Sequence, residues 1–182
     1  MKKILVYLAD GFEEIEGLTV VDILRRGGMD VMTASVNEKK TVKGGHGIIV
    51  YADAMAADVD ADGFDAIVLP GGMPGTTNLK NNSKVCDDVK KMNGDKKLVA
   101  AICAAPTVLA HCGVLEGKRA SVYPGFESGL GGAAYVERKV VKDGNIITAP
   151  GPGAALEFSL ALLSYLADDA AAERMREDVV AL

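Results

Sequence analysis

Leu98-Val99-Ala100-Ala101-Ile102-Cys103-Ala104-Ala105-Pro106 is the stretch that decides how this chain folds. Its first five residues form a short, unbroken apolar run, the pattern of a strand buried on both faces of a parallel sheet. Thr107-Val108-Leu109-Ala110-His111 then reads as a helix. Cys103 thus stands where strand becomes helix, the place of a nucleophile elbow, whose sharp turn lifts a side chain above the sheet edge. Small neighbours, Ala101, Ala104 and Ala105, let such a turn close. The free N–H groups opening the next helix are expected to favour the thiolate. Buried cysteine is more often a packing residue than a nucleophile, so the rest of the chain must carry the distinction.

Outward from this stretch, strands and helices alternate. Strands are expected at 4–8, 30–36, 64–69, 98–102, 119–122 and 146–149, with a weaker one at 135–141. Helices are expected at 14–26, closed by Gly27-Gly28, at 84–92, at 152–167 with Pro152 at its start, and at 170–180. Residues 39–53 read as a hairpin-like excursion whose firmest strand is Ile48-Ile49-Val50. Short apolar strands between helices predict a doubly wound α/β sandwich with a mostly parallel sheet, as one domain over 1–182.

Composition narrows the function. The chain has 182 residues, 49% of them hydrophobic, and a formal net charge of −5. No basic run exceeds a pair of lysines or arginines, which argues against nucleic acid as a partner. Nothing reaches a membrane-spanning length, and the apolar run at 4–9 stops at Asp10, too early for a signal peptide. Three cysteines are no disulfide framework, Cys103 and Cys112 being too far apart along one helix to bridge, and a reducing cytoplasm is expected. Of the three, Cys103 is expected to be the reactive thiol. Cys86 falls among polar helix residues, and Cys112 at a helix end without an activating charge.

In open parallel sheets, ligands bind outside the carboxyl ends of the strands. Three loops leave such ends: 10–16 with Glu13, Glu14 and Glu16, 70–75 with its glycines, and 102–106 with the thiol. Together they supply a nucleophile, a carboxyl group and backbone donors. Glu13 and Glu14 are expected only to serve the dipole of the first helix, while Glu16 faces the site. A histidine base is missing. His111 lies eight residues beyond Cys103, about 12 Å of helical rise, and His46, in Gly44-Gly45-His46-Gly47, reaches a site only through folding or dimerisation. No phosphate-binding glycine motif and no clustered metal ligands occur, so the expected chemistry needs neither cofactor nor metal.

The set 5–16, Val68-Leu69-Pro70-Gly71-Gly72, Ala100 to Pro106 and Gly151-Pro152-Gly153 closely resembles the ThiJ/PfpI family, within its parkinsonism-protein (DJ-one) branch and bacterial relatives. The resemblance runs from about residue 3 to 167. It implies a flavodoxin-like sandwich, a homodimer, Cys103 as the reactive cysteine and Glu16 as the acid bonded to its sulfur. It also implies Gly72 and Ala104 as backbone donors of an oxyanion-type pocket. Tyr123 stands where many relatives carry a histidine before proline, and Ala104 replaces the histidine of the protease-like branch, which argues against peptidase activity. Two functions follow from the resemblance. One is a cofactor-independent glyoxalase or deglycase acting on methylglyoxal or glycated groups, with Tyr123 and His46 as auxiliary residues. The other is an oxidative-stress sensor or chaperone-like protein that works through oxidation of Cys103 to the sulfinic acid. For the dimer, Ile15, Leu18, Val20, Val21 and Leu24 are expected to form an apolar helix edge beside the hairpin strand 48–50.

Overall fold

Alternation along each central strand explains how the core divides in two. The computed structural model describes residues 1–181. In it Lys3–Leu8 (β1) sends Ile4, Val6 and Leu8 to one apolar cluster and Leu5 and Tyr7 to another. Successive side chains of a strand point to opposite faces, so a strand with apolar residues at every position needs cover on both. The cover on the first face comes from Glu14–Arg26 (α1). After it come Asp30–Ser35 (β2), the strands Thr41–Lys43 (β3) and Ile49–Tyr51 (β4), and the short Ala54–Met55 (β5).

Ala66–Leu69 (β6) leads through Gly75–Lys80 (α2) into Ser83–Gly94 (α3), then Leu98–Ile102 (β7) and Pro106–His111 (α4). Arg119–Ala120 (β8), Ala134–Tyr135 (β9), Val141–Asp143 (β10), Ile146–Ala149 (β11), Ala155–Leu166 (α5) and Asp169–Asp178 (α6) complete the described chain. Seven strands form the main sheet in the order β10-β11-β7-β6-β1-β2-β5, parallel throughout except for β10 against β11. Val20, Leu24, Phe158, Leu163 and Met175 pack α1, α5 and α6 on one face, while Val85, Val89, Met92, Val108 and Leu109 pack α3 and α4 on the other. Burying each such side chain contributes about 1.5–3 kcal/mol.

The α/β sandwich agrees with the sequence reading, with local differences. The expected strands at 119–122 and 135–141 shrink to β8 and β9, which pair with each other outside the main sheet, and β10 takes the sheet edge. The helix α2 has no counterpart in the reading, because Gly75-Thr76-Thr77-Asn78 carries neither apolar periodicity nor good helix formers. The excursion at 39–53 is an antiparallel hairpin, β3 against β4. No helix among the described residues is long and apolar enough to cross a membrane.

Candidate active site

At the carboxyl ends of β1, β6 and β7 the three glycine- and alanine-rich turns meet. Cys103 follows β7 directly and takes φ 64°, a left-handed conformation that costs a non-glycine residue about 1–3 kcal/mol. Neighbouring loops hold it there. Its N–H donates to the Ala149 carbonyl and its carbonyl accepts from Tyr123 N–H, both at 2.9 Å. The side chain is 8% exposed. The backbone N–H groups of Gly72 and Ala104 donate to the sulfur.

Gly71 makes the close packing possible. A Cβ there would lie 2.6 Å from the Cys103 Cβ and 2.8 Å from Glu16 Oε2, so only glycine fits between them. Gly72 adopts φ +88° with its backbone pressed on Glu13 and Gly11, which again leaves no room for a side chain.

Glu16 reaches this point because α1 begins three residues earlier on a side-chain cap. Glu13 Oε2 accepts the Glu16 N–H at 2.8 Å, satisfying one of the free donors of the first turn. The Glu16 side chain is fully buried. Its Oε2 accepts the Gly71 N–H at 2.8 Å, while Oε1 is left without a hydrogen-bond partner, with Cys103 on the other side of Gly71 from the carboxyl group.

The two acids share one desolvated pocket. Burial pushes Glu16 up to about 7, against the thiol contact and the Gly71 N–H. Burial, then the Glu16 charge, pushes the Cys103 thiol up to about 12, and the Gly72 and Ala104 amides only partly offset this. Burial and the Glu16 charge thus act against the thiolate that the turn's amides favour. The helix itself starts only at Pro106, and withdrawal from water outweighs the amide dipoles. Of the two acids Glu16 therefore gives up its proton first, near 7, and its charge then opposes ionisation of the thiol.

Glu13 and Glu14 do more than serve the helix dipole. Glu13 is the cap just described. Glu14, buried on the first turn of α1, accepts the His46 N–H and faces His46 Nδ1, both at 2.7 Å, and accepts the Ile48 N–H at 3.4 Å. His46 is thereby engaged by Glu14, with Glu13 Oε1 3.8 Å from the same ring nitrogen. The ring closes a clasp between hairpin and helix and makes no hydrogen bond to the thiol. Among the described residues Glu13, Glu14 and His46 also bring three ligand-type atoms within 4.8 Å, and the hydrogen bonds of the clasp account for that grouping. Tyr123 holds Cys103 through its backbone, while its exposed ring meets Phe126 edge-on, centroids 6.2 Å apart. His111 is exposed at the far end of α4. The wedge at Gly71 and the Glu14 clasp escaped the sequence reading. Gly71-Gly72 after a strand was the visible signal for the first, and the second joins residues distant in the chain.

A doubly wound parallel sheet that strains a cysteine at a strand-to-helix turn, beside a buried glutamate and two amide donors, defines the class of α/β proteins with an elbow thiol. Residues 2–165 match the DJ-1/PfpI family. The chain belongs to that family. It is 44% identical over 168 residues to protein DJ-1 homolog A of Arabidopsis thaliana, covering 91% of this chain and 43% of that relative. It therefore spans less than half the length of that plant protein. A protein of Pyrococcus abyssi named a deglycase is 36% identical over 153 residues, covering 83% of this chain and 91% of the relative. The solved structure of oxidised Toxoplasma gondii DJ-1 superposes with a TM-score of 0.96 at 34% identity, covering 99% of this chain and 98% of that one.

Proposed function

We propose that this chain is a cofactor-independent enzyme that uses Cys103 to attack small reactive aldehydes or the groups they leave on amines and thiols, a glyoxalase or deglycase. The observation that carries the reading is the Glu16–Cys103 pair. A carboxyl held near 7 can exchange a proton with sulfur and substrate at neutral pH, the requirement for general acid–base work. With methylglyoxal, the sulfur adds to the aldehyde carbon as its proton passes to the oxygen, forming a hemithioacetal. Glu16 removes the proton from that carbon as the neighbouring carbonyl oxygen takes up the hydroxyl proton through an enediol, and Glu16 then returns its proton to the former carbonyl carbon, leaving a lactoyl thioester. Water then releases lactate and restores the thiol. Gly72 and Ala104 N–H groups hold the oxyanion that develops at each addition. Tyr123 and His46 stay auxiliary and carry no proton. The deglycase name of the Pyrococcus relative supports the substrate class.

The decisive experiment follows methylglyoxal by NMR with the native chain, Cys103→Ser and Glu16→Gln. Many lactates per chain from the native protein alone would support the enzyme. Consumption of one equivalent without turnover would reject it in favour of the second reading, an oxidation sensor. Cys103 keeps 8% exposure, and a thiol that a small aldehyde reaches is one that peroxide reaches too.

We also propose a homodimer built on α1 and the hairpin. Val20, Val21 and Leu24, expected on an exposed edge, are buried in the chain's own core, because the face they share packs against α5 and the sheet. What remains outside is Ile15 on α1 with Ile48, Ile49 at 66% and Tyr51 at 75% exposure on the hairpin. An apolar surface of this kind needs cover, and a two-fold axis supplies it from an identical surface.

A further inference from the structure

The two backbone bonds that hold Cys103 lead outward to a cleft. Its N–H donates to the Ala149 carbonyl and its carbonyl accepts from Tyr123 N–H. The next residues along those segments, Pro150 and Pro124, both line a cleft of about 300 Å³. Ser121 and Tyr135 extend its neutral wall, and Glu137, Arg138 and Lys139 form its charged rim. Ser121 Oγ donates to the Arg138 carbonyl at 3.2 Å, so the rim is tied to the segment that also holds the thiol. The charges there are unlike those elsewhere on a chain whose net charge is −5. Lys118 and Arg119 share Asp143, at 3.8 and 3.7 Å, and Arg176 grips Glu157 with two bonds. Arg138 and Lys139 are both exposed and form no ion pair among the described residues. Glu137 is the single carboxylate on the rim, and two cations outnumber it.

We propose that this cleft is a subsite for an anionic group, a carboxylate or a phosphate, carried by the molecule whose electrophilic carbon meets Cys103. The proposal rests on Cys103 as the nucleophile and names the substrate class: reactive carbonyl compounds that bear a negative charge a few bonds from the aldehyde. A cleft with low-dielectric walls of proline and tyrosine focuses the field of the cations on its rim. Arg138 offers a planar fork of donors to an oxyanion, and Lys139 adds a point charge beside it. The thiol pocket itself supplies no cation: Glu16 is its charged side chain, and its donors are amides. An anion on the substrate is therefore best accommodated away from the sulfur, on this rim.

Paired reagents test this without relying on turnover. 5-Bromolevulinate and its methyl ester alkylate a thiol by displacing bromide and differ in one carboxylate. Labelling of Cys103 is followed by peptide mass spectrometry, and the acid-to-ester rate ratio is divided by the same ratio for glutathione. We expect the native chain to favour the acid by about tenfold. The preference should vanish in the double variant Arg138→Gln/Lys139→Gln and survive in Arg174→Gln, which removes an exposed cation on α6. Acetate or inorganic phosphate should slow labelling by the acid more than chloride does at equal ionic strength. Whichever acts at the lower concentration identifies the anion. Absence of a preference for the acid, its persistence in the double variant, or its equal loss in Arg174→Gln would each overturn the subsite. Turnover of 4,5-dioxopentanoate and its methyl ester separates this proposal from the enzyme reading. Preferential labelling by the acid with turnover of neither compound keeps the subsite and rejects the enzyme, while equal turnover of both without preferential labelling does the reverse.

Discussion

A single proton decides how the thiol behaves. Because Glu16 is raised from an ordinary carboxylate value of 4.5 to about 7, its ionisation opposes the folded state. The stability it confers is full below 4.5 and is lost as pH rises through 7, a fall of about 3 kcal/mol. Glu16→Gln keeps an acceptor for the Gly71 N–H but has no charge to form. We expect its denaturation midpoint to be flat over that window and to exceed that of the native chain at pH 8, as measured by urea titration at several pH values. The Glu16 proton also sets reactivity, because the ionised carboxylate can take the proton of the thiol. Alkylation of native Cys103 should rise with a midpoint near pH 7, and in Glu16→Gln that midpoint should vanish, while aldehyde turnover falls by about 10²–10⁴-fold. An unchanged midpoint would mean that Glu16 does not take the proton of the thiol. Gly71→Ala tests the wedge itself. Its new methyl would sit 2.6 Å from the Cys103 Cβ, so we expect overpacking to cost about 1–3 kcal/mol and Glu16 to leave the sulfur. Thiol alkylation in that variant should lose its inflection while circular dichroism stays native.

Among the elements, α1 works on three sides. Its inner face builds the core with α5, its first turn delivers Glu16 to the sulfur, and Glu14 clasps the hairpin. Gly44 lets the clasp close, since a Cβ there would meet Glu14 Oε1 at 2.3 Å. The clasp has its own pH window. Hydrogen bonds from His46 and Ile48 outweigh burial and hold Glu14 below the carboxylate range, so its contribution is lost as pH falls through that lowered value. Glu14, first by its hydrogen bond and then by its charge, holds His46 above the usual histidine value. The contribution of the charged ring is full below the usual value and lost as pH rises through the raised one. Hydrogen exchange at the His46 and Ile48 amides should therefore be slowest between those limits. Glu14→Gln should speed it and remove its pH dependence, leaving the strands of the main sheet unaffected. Equal protection in the variant would show that the β3–β4 pairing alone holds the hairpin.

For the molecule as a whole, the outstanding quantity is assembly. Ile49 and Tyr51 project from β4 into solvent, where a carboxylate costs nothing in an isolated chain but is buried in a two-fold interface. Light scattering at low micromolar concentration should give twice the chain mass for the native protein and the single-chain mass for Ile49→Asp, with unchanged circular dichroism. A native monomer would reject the dimer.

Across the whole molecule, the elbow was legible because it is local. An apolar run of five, small residues around a cysteine and a proline-started helix lie within about one dozen consecutive positions, and strand-to-helix turns follow from such short-range sterics. The mostly parallel sheet followed from the repeated strand–helix units, since parallel strands require crossovers. The family resemblance then aligned Glu16, Gly72 and Ala104 with one pocket. Tertiary structure alone decided the rest. Whether Val20 and Leu24 face a partner or their own α5, whether Glu14 serves a dipole or a hairpin, and whether Cys86 meets water or the core all turn on which segments fold against each residue. So does the ionisation of Cys103: the chain supplies a thiol and amides in sequence, but the desolvation that outweighs them exists only once Gly71 and Glu16 have closed around the sulfur.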